Sequence, residues 1–478
     1  MRPPINVVVL GGSYAGGRAA ELLAKTLPDY ARVVLIDRQS HFNHLYLFPR
    51  VGVVPGHANK HEADPDFAIK VFIPFTGVLA SPAQPPPATI PPPSLADPTP
   101  TPSKAFKSAL VQASVTKIGD GWLEVDKDLG DDVLDARERQ NESVEHQRAV
   151  EKLGHELEKL GVTEQGSNRR RVRFDYLVYA LGCTLPPPLV TPALTKIEGM
   201  SFLQQQTQSI AQASSILIAG GGALGIQYAT DIADLYNNPD RAYLRPKDAK
   251  PGPKKVTLVH SRQKFLPLYQ NEVHDEVIRR LQELGVDVVL GERLQLPSVE
   301  EDKERNGEMR SVTLSNGSVI EYDLLLRCTG QKPNSKLMSE FVPQALDEWG
   351  YVNVKDTLQI DAPGARAESL SRVYCIGDVA NAGVIKAGHT GWNQAGVAVN
   401  NIMAQIMCDS TDKPEMLKYE KTPPQIKVTL GLNHSVSELL PSMEAKETVV
   451  TTADNGPIDG YWQVVWSRMG VSTDDLDQ

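Results

Sequence analysis

The chain has 478 residues, of which 41% are hydrophobic and 23% are charged, and its formal net charge is −10. This length predicts two or three domains, and the composition is that of an ordinary globular protein. The acidic balance argues against a nucleic-acid-binding protein, because no dense stripe of lysine and arginine occurs beyond Arg169, Arg170 and Arg171.

Neither end of the chain carries a pattern typical of membrane insertion or export. No stretch approaches the ~20 consecutive apolar residues of a membrane-spanning helix. The first predicted strand begins at Ile5, which leaves no room for a signal or transit peptide. We therefore expect a cytoplasmic protein, with peripheral contact to a membrane left open.

The first predicted strand ends in a corner of small residues. The apolar run Val7–Leu10 is followed by Gly11, Gly12, Ser13, Tyr14, Ala15 and Gly16, and a helix is predicted from Arg18 to Leu27. Small residues at such a corner let backbone N–H groups approach a pyrophosphate at the helix N-terminus. Ser13 stands where this pattern normally has its second glycine, and its hydroxyl is able to donate to a phosphate.

The second predicted strand, Arg32–Asp37, ends in an acid. A carboxylate at this position accepts hydrogen bonds from the ribose hydroxyls of an adenine dinucleotide. Asp37 lies slightly farther along the chain than the usual ~20 residues, because the connection before the strand is long. The sequence therefore predicts a ribose contact for Asp37, and the alternative is a solvated strand end.

Two segments of the first half are predicted to be insertions. Residues 81–103 contain too much proline for a sheet or a helix, which predicts polyproline II or disorder. Residues 131–160 are highly charged and place apolar residues at helical spacing, which predicts an amphipathic helix that is either a surface insertion or a partner-binding arm. Around them, strands are predicted over 109–115, 122–125 and 174–182.

A second glycine corner follows about two hundred residues after the first. The apolar run Ile216–Ala219 leads into Gly220, Gly222 and Gly225, and a helix is predicted through Asp231. The next predicted strand, 256–259, ends in His260 and Arg262 rather than in an acid. A 2′-phosphate would not be repelled there, which favours NADPH or the use of both nucleotides.

The remaining predicted elements alternate between strands and helices. Strands are predicted over 286–290, 323–330 and 373–378, and helices over 275–284 and 392–407. Beyond about residue 413, strands are predicted over 426–432 and 461–466.

Five motifs follow one another along the chain: GGSYAG at Gly11, ALGC at Ala180, GGGALG at Gly220, CTGQKPN at Cys328 and YCIGDVAN at Tyr374. Their order resembles that of the two-dinucleotide flavoprotein oxidoreductases. The chain is most similar to the apoptosis-inducing-factor-like branch, which includes the AMID and ferroptosis-suppressor type NAD(P)H:quinone oxidoreductases and is related to type II NADH dehydrogenases. The resemblance covers about residues 5–435, without the two insertions.

The resemblance implies an α/β fold with two Rossmann-like dinucleotide-binding domains, glutathione-reductase-like, and a small α+β C-terminal domain. An FAD-binding domain is expected over residues 1–205 and 330–410, with insertions at about 81–103 and 128–170. An NAD(P)H-binding domain is expected over 206–329 and the C-terminal domain over 411–478. The third domain of related folds often mediates dimers, so a homodimer is left open.

The resemblance also implies which residues bind the two coenzymes. FAD is expected on the first corner and NAD(P)H on the second. The residues implied for FAD are Gly11, Gly12, Ser13, Tyr14, Ala15, Gly16, Asp37, Arg50, Val115, Ala180, Gly182, Gly377 and Asp378. Those implied for NAD(P)H are Gly220, Gly222, Gly225, His260 and Arg262.

Three of these positions carry a specific expectation. Arg50 is implied to contact the flavin nucleotide, and the backbone of Val115 is implied to meet the adenine. Asp378 is implied to bind the ribityl chain or the pyrophosphate side, and the alternative is a cap on the following helix. An aspartate after a buried Ile-Gly pair is costly to desolvate unless it accepts good hydrogen bonds, which a ribityl hydroxyl would supply.

Two residues are candidates for a part in catalysis. Lys386, together with the N-terminus of the helix that follows it, is implied to stabilise charge on the reduced flavin. His389 is the nearest candidate for donating a proton to a reduced quinone, and the alternative is a capping or packing role.

The resulting hypothesis is a ping-pong reaction in which NAD(P)H gives a hydride to the flavin, which then passes two electrons to a quinone-like acceptor. Cys183, Cys328, Cys375 and Cys408 form no C-x-x-C or C-x4-C pair, which argues against a dithiol relay and disulfide reductase chemistry. Neither a catalytic triad nor a metal site is expected.

Three alternatives stay open. The first is a biosynthetic flavin oxidoreductase with a dedicated small-molecule substrate, and the second is a signalling flavoprotein of apoptosis-inducing-factor type. The third is a flavin monooxygenase, although the second-site pattern usual in that class is missing. The acceptor itself is not predicted. Residues 461–466 are expected to line its pocket, to touch a membrane surface, or to form an interface strand.

Overall fold

The structure is a computed structural model. It describes residues 5–55, 57–59, 62–64, 67–79, 108–129, 170–298, 301, 307–365, 370–408, 413–442, 444–474 and 476. The proline-rich segment at 81–103 and the predicted amphipathic helix at 131–160 lie outside the described residues.

Helices and strands alternate along most of the described chain. The α-helices are α1 (Tyr14–Thr26), α2 (Phe48–Val53), α3 (Lys196–Gln212), α4 (Ala223–Asn237), α5 (Asn271–Glu283), α6 (Lys336–Phe341), α7 (Gly388–Met407) and α8 (Trp462–Arg468). Short 3-10 helices lie at Leu45–Leu47, Phe67–Val71, Phe75–Gly77, Pro239–Leu244, Pro343–Ala345 and Gly377–Val379.

The strands, in chain order, are β1 (Ile5–Leu10), β2 (Ala31–Asp37), β3 (His41–Asn43), β4 (His57–Asn59), β5 (Glu62–Asp64), β6 (Phe72–Pro74), β7 (Ala109–Gln112), β8 (Val115–Gly119), β9 (Trp122–Val125), β10 (Arg171–Arg173), β11 (Tyr176–Tyr179), β12 (Cys183–Thr184), β13 (Ser215–Ala219), β14 (Lys255–His260), β15 (Asp287–Leu290), β16 (Arg310–Thr313), β17 (Val319–Tyr322), β18 (Leu324–Arg327), β19 (Lys332–Pro333), β20 (Val352–Asn353), β21 (Val373–Cys375), β22 (Ala380–Asn381), β23 (Ile426–Thr429), β24 (Ser435–Leu439) and β25 (Val449–Ala453).

The chain divides into two compact units, each built from three segments. The first unit comprises Met1–Ser40, Phe75–Cys183 and Pro333–Glu420. The second comprises His41–Pro74, Thr184–Lys332 and Lys421–Gln478. The assignment of FAD-binding and NAD(P)H-binding domains to stretches of the chain stays a prediction.

The first unit is organised around a five-stranded parallel sheet in the order β21-β11-β1-β2-β7. Residues Val7–Leu10 of the central strand β1 are completely buried, as expected for a parallel strand that is covered on both faces. Helix α1 connects β1 to β2, and α7 packs against α1. Helices and a parallel sheet in this order make a Rossmann-like unit.

The second unit contains a four-stranded parallel sheet in the order β15-β14-β13-β18. Its central strands are again apolar and buried, with Leu217 and Leu258 fully excluded from water. Helix α4 connects β13 to β14 as α1 connects β1 to β2. The last part of this unit is an antiparallel sheet in the order β23-β24-β25.

Two strand predictions are wrong. The predicted strand 109–115 is two strands, because Ala113 N–H donates to Asp37 O and closes the parallel pairing, whereas β8 pairs antiparallel with β9. The predicted strand 461–466 is helix α8. Trp462 and Trp466, one helical turn apart, are both buried and pack edge to face with ring centroids 5.8 Å apart.

Other predictions differ only in extent. Helix α4 continues to Asn237 rather than ending at Asp231, and β23 ends at Thr429 rather than at residue 432. The connection after α4 contains the 3-10 helix Pro239–Leu244, which Asn238 caps by accepting the Asp240 N–H. Among the described residues, no helix combines the length and the apolar character that crossing a bilayer requires.

Candidate functional site

The first glycine corner requires glycine for steric reasons. Gly11 has a φ of +91°, and a Cβ there would lie 2.6 Å from the carbonyl oxygen of Ala180. A Cβ on Gly16 would lie 1.8 Å from the carbonyl oxygen of Gly11. Both glycines therefore allow α1 to begin directly against the ends of β1 and β11.

The second corner has the same steric constraints as the first. Gly220 has a φ of +115°, and a Cβ there would lie 2.5 Å from the carbonyl oxygen of Cys328. A Cβ on Gly225 would lie 1.9 Å from the carbonyl oxygen of Gly220. Cys328 thus plays in the second unit the part that Ala180 plays in the first.

The third residue of each corner is where the two differ. Gly222 precedes α4, and among the residues that the structure describes, its chain neighbours aside, none has an atom within 4 Å of the position that its Cβ would occupy. Ser13 holds the matching place before α1, is exposed, and makes no capping hydrogen bond to that helix. The N–H groups of both first turns are therefore without a side-chain cap, which is the arrangement that a diphosphate fills.

An aromatic ring lies against the middle glycine of each corner, a contact that no sequence pattern predicts. A Cβ on Gly12 would lie 2.4 Å from the ring of Phe75, and one on Gly221 would lie 2.3 Å from the ring of Phe265. The two phenylalanines stand at different distances along the chain from their glycines, so no shared spacing marks them in the sequence.

The residue that ends the second strand of each sheet bonds to the adjacent glycine corner. Asp37 Oδ2 accepts the Gly12 N–H at 2.6 Å, and its Oδ1 accepts the Gln39 N–H at 2.8 Å. His260 Nδ1 accepts the Gly221 N–H at 3.2 Å, and its ring stacks on Phe265. An acid and a histidine therefore do the same structural work in the two units.

The protonation of these two groups differs. Burial raises the pKa of Asp37, and the backbone hydrogen bonds oppose that rise. Burial and the positive charge of Arg262 lower the pKa of His260, which keeps the imidazole neutral at pH 7. Arg262 itself is exposed two residues farther on. Of the two residues that end the second strand of each parallel sheet, Asp37 is an acid and His260 is not.

Gly182 and Gly330 mark one further pair of matching positions. Gly182, three residues after β11, has a φ of +60°, and Gly330, three residues after β18, has a φ of +89°. In the described part of the chain, nothing beyond the adjacent residues lies within 4 Å of the Cβ position of either glycine. Within the first unit, Val115 begins β8 shortly after the parallel strand β7 has ended.

Asp378 follows Gly377 at the end of β21. Gly377 has a φ of +76°, which turns the chain away from the sheet. Burial raises the pKa of Asp378, and the charge of Lys386 opposes that rise. No group in the described part of the chain donates a hydrogen bond to this carboxylate, so a donor supplied by a ligand would relieve its desolvation.

The two candidates for a part in catalysis lie close together in sequence but have different surroundings. Lys386 Nζ donates to the Ala380 carbonyl and lies 4.4 Å from the ring centroid of Tyr351. Burial lowers the pKa of Lys386, whereas the charge of Asp378 raises it. His389 is exposed in the first turn of α7, where partial desolvation lowers its pKa.

Most of the chain matches one known protein family. The pyridine nucleotide-disulphide oxidoreductase family matches residues 5–401. The chain belongs to that family. Members of the pyridine nucleotide-disulphide oxidoreductase family bind FAD and use NAD(P)H, so the chain is an FAD-containing, NAD(P)H-dependent oxidoreductase.

Several named relatives are similar over different shares of the chain. Fe-regulated protein 8 of Mycosarcoma maydis is 35% identical over 99% of this chain and 97% of its own length. Apoptosis-inducing factor homolog B of Dictyostelium discoideum is 26% identical over 57% of this chain and 69% of its own length. Ferroptosis suppressor protein 1 of Homo sapiens is 26% identical over 53% of this chain and 62% of its own length.

Solved structures of the family share the fold. An NAD-dependent persulfide reductase from A. fulgidus superposes with a TM-score of 0.55 at 17% identity, covering 91% of this chain and 64% of that one. A water-forming NADH oxidase from Lactobacillus brevis superposes with a TM-score of 0.55 at 15% identity, covering 91% of this chain and 75% of that one. The predicted fold of two Rossmann-like units is thereby confirmed.

Arg50 does not fit the flavin contact that the resemblance implies. Its guanidinium pairs with Asp231 on α4 through two hydrogen bonds of 2.8 and 3.0 Å. Its remaining N–H groups donate to the carbonyls of Gly431, Leu432 and Ile458. All five donors are engaged within the second unit and Arg50 is 4% exposed, so we leave it out of the proposed flavin site.

The charge of Asp378 gives a pH-dependent prediction. A ribityl hydroxyl donates best to an ionised carboxylate, and burial has raised the pKa of this group. We therefore expect FAD affinity to fall as the pH is lowered towards the raised pKa of Asp378, because protonation of Asp378 opposes binding. The dissociation constant, measured by quenching of flavin fluorescence, checks this.

The control for the pH dependence is Asp378→Asn, which keeps the size of the side chain and removes its titration. It should bind FAD more weakly at pH 8 and show a flatter pH profile, while Asp37 still titrates in the same direction. If the FAD affinity of the variant depends on pH as steeply as that of the wild type, Asp378 does not bind the flavin.

Proposed function

We propose that this family member takes a hydride from NADPH, or from both nicotinamide nucleotides, and passes the electrons to a quinone-like acceptor. Bound FAD would supply the chemistry, since it accepts a hydride from NAD(P)H and delivers electrons to a second substrate. The observation that carries the proposal is the pair of matching glycine corners, each of which opens a helix whose first N–H groups lack a side-chain cap.

The residues of the first corner are proposed to hold FAD. Gly11 and Gly16 let the chain approach the diphosphate, and the Ser13 hydroxyl adds a donor beside it. Asp37 would accept from the adenosine ribose, and Asp378 from the ribityl chain. Ala180, Gly182 and Val115 border the same end of the parallel sheet, where ligands of such sheets bind.

The residues of the second corner are proposed to hold NAD(P)H. Gly220, Gly222 and Gly225 would admit its diphosphate at the start of α4. A neutral His260 with Arg262 two residues away does not repel a 2′-phosphate, whereas an acid at that strand end would bind the 2′-hydroxyl of NADH. We therefore expect a kcat/KM for NADPH at least equal to that for NADH.

The burial of two of the four cysteines agrees with direct transfer from the flavin to the acceptor. Burial raises the pKa of the Cys328 and Cys375 thiols, which disfavours the thiolate that thiol chemistry requires. Lys386 is proposed to hold positive charge near the reduced flavin, and His389 to donate a proton to the reduced acceptor.

A second candidate acceptor is a ferric complex. Fe-regulated protein 8, which matches 99% of the chain, is named for its regulation by iron, and a ferric complex is therefore included as a second acceptor to test.

The acceptors are separated by a half-reaction experiment. The holoenzyme is reduced with one equivalent of NADPH without oxygen and then mixed with menadione, a short-chain ubiquinone or ferric citrate. Our proposal expects a quinone to restore the oxidised flavin spectrum fastest. Faster reoxidation by ferric citrate would instead favour the second candidate, and no reaction with any of the three would contradict both.

A further inference from the structure

Gln394 is a buried amide in the middle of helix α7. It is 1% exposed, and a buried amide requires partners for both its oxygen and its nitrogen. Its Oε1 accepts the Gly377 N–H at 2.7 Å. The side chain therefore connects α7 to the turn that carries Asp378.

The backbone of this turn explains why a side chain must supply the acceptor. Ile376 N–H still donates to Tyr179 O at 3.1 Å, which is the last bond of this strand to the sheet. Gly377 then turns away with a φ of +76°, so its N–H no longer faces a neighbouring strand. Gln394 accepts that N–H and ends the strand.

The turn has little room to shift. A Cβ on Gly377 would lie 3.1 Å from the Ala15 methyl, and one on Gly391 would lie 2.8 Å from the same methyl. Ala15 belongs to the first corner, in the first turn of α1. The first turns of α1 and α7 and the Gly377 turn thus meet at one methyl group.

A tyrosine orients the amide from its other side. Tyr419 is 9% exposed, burial raises its pKa, and the hydrogen bond from Gln394 opposes that rise. Because this hydrogen bond lowers the pKa of Tyr419, it stabilises the ionised phenol, so the NH₂ group of Gln394 is the donor to the tyrosine oxygen. Tyr419 N–H in turn donates to Asp356 O at 2.7 Å.

We propose that Gln394 is a positioning residue for FAD, which rests on the proposed flavin site. It does not itself contact the coenzyme. It holds the turn Gly377–Asp378 against α1, so that the Asp378 carboxylate and the first corner keep the spacing that one FAD molecule bridges. Loss of the amide therefore weakens FAD binding through Asp378.

The test compares two glutamines of the same helix. Gln394→Met keeps the length of the side chain and removes both hydrogen bonds. Gln405→Met is the matched control, because Gln405 accepts from the Tyr374 hydroxyl at 2.9 Å and donates to Ser371 O at 3.1 Å. Ser371 precedes β21, whereas Gly377 follows it, so the control loosens the opposite end of the strand.

The readouts are FAD affinity of the reconstituted apoprotein and its melting temperature. Gln394→Met should bind FAD about tenfold more weakly, as expected for a hydrogen bond of ordinary net strength. Gln405→Met should lower the melting temperature about as much as Gln394→Met does, but its FAD affinity should stay within about twofold of the wild type. Tyr419→Phe, which leaves the Gly377 bond in place, should weaken FAD about threefold and serves if Gln394→Met does not fold.

Three outcomes decide the proposal. Weakening confined to Gln394→Met and Tyr419→Phe supports it. Equal FAD affinity in Gln394→Met and wild type, or equal weakening in the Gln405 control, overturns it and leaves the proposed function intact. A wild-type protein that binds no FAD at all overturns the proposed function and this inference together.

Discussion

Gly222→Val is expected to reduce the rate of flavin reduction by NADPH at least about a hundredfold while the protein keeps its fold and its FAD. Apart from its own chain neighbours, no described residue has an atom within 4 Å of the position that the new Cβ would occupy, so the chain tolerates the side chain. The added methyls instead enter the space in which the second corner would hold a diphosphate, and a displacement of about 1 Å there is costly. Stopped-flow reduction without oxygen measures the rate.

Two controls isolate the second corner. Dithionite should bleach the variant flavin as it does the wild type, which shows that the FAD is present and reducible. Gly396→Val adds the same side chain to α7 at another glycine whose Cβ position has no described atom within 4 Å apart from the adjacent backbone of its own helix, and it should leave reduction by NADPH unchanged. Normal reduction of Gly222→Val by NADPH would place the nucleotide elsewhere.

Arg50→Met is expected to lower the free energy of unfolding of the second unit by about 3–5 kcal/mol and to leave FAD affinity within about threefold. The substitution leaves the Asp231 carboxylate buried without its cation, and burial already raises the pKa of that group. It also deprives three backbone carbonyls of their donor. Urea unfolding, followed by tryptophan fluorescence, measures the loss.

Arg50→Lys is the companion variant in case Arg50→Met does not fold. A lysine keeps the charge but offers three donors on a single atom, so it cannot reproduce five hydrogen bonds in a fixed fork. We expect a smaller loss of stability. If Arg50→Lys or Arg50→Met instead releases FAD without a loss of stability, the flavin contact implied by the resemblance is right and the structural role is wrong.

The parallel strands were predictable because their cause is local: apolar runs such as Val7–Leu10 specify buried parallel strands. The glycine corners were predictable from their pattern of small residues. The structure shows the cause of that pattern, since φ is +91° at Gly11 and +115° at Gly220 and a Cβ at either glycine would collide with a carbonyl oxygen just beyond a neighbouring strand. The similarity of the two corners follows from the same constraint, since each helix starts against the end of a neighbouring strand. The resemblance of the motifs to a known family then predicted which coenzymes the corners bind, FAD and NAD(P)H.

The features that sequence reasoning missed depend on partners far apart in the chain. Arg50 finds Asp231 and carbonyls beyond residue 430, and nothing near Arg50 in sequence signals such a site. Gln394 and Phe75 act on backbone atoms, which have no sequence signature. The strand prediction for residues 461–466 was wrong for another reason. Alternating apolar residues in a short segment do not distinguish a strand from a helix whose tryptophans lie one turn apart.

Whether the chain binds FAD and reduces it with NAD(P)H is measured by the visible spectrum of the purified protein, followed by anaerobic titration with NADPH and NADH. We predict the absorption band of oxidised flavin near ~450 nm, extractable FAD, and bleaching of the band by at least one nucleotide, with NADPH no weaker than NADH. A colourless protein that cannot be reconstituted with FAD, or a flavin that neither nucleotide reduces, would contradict the account.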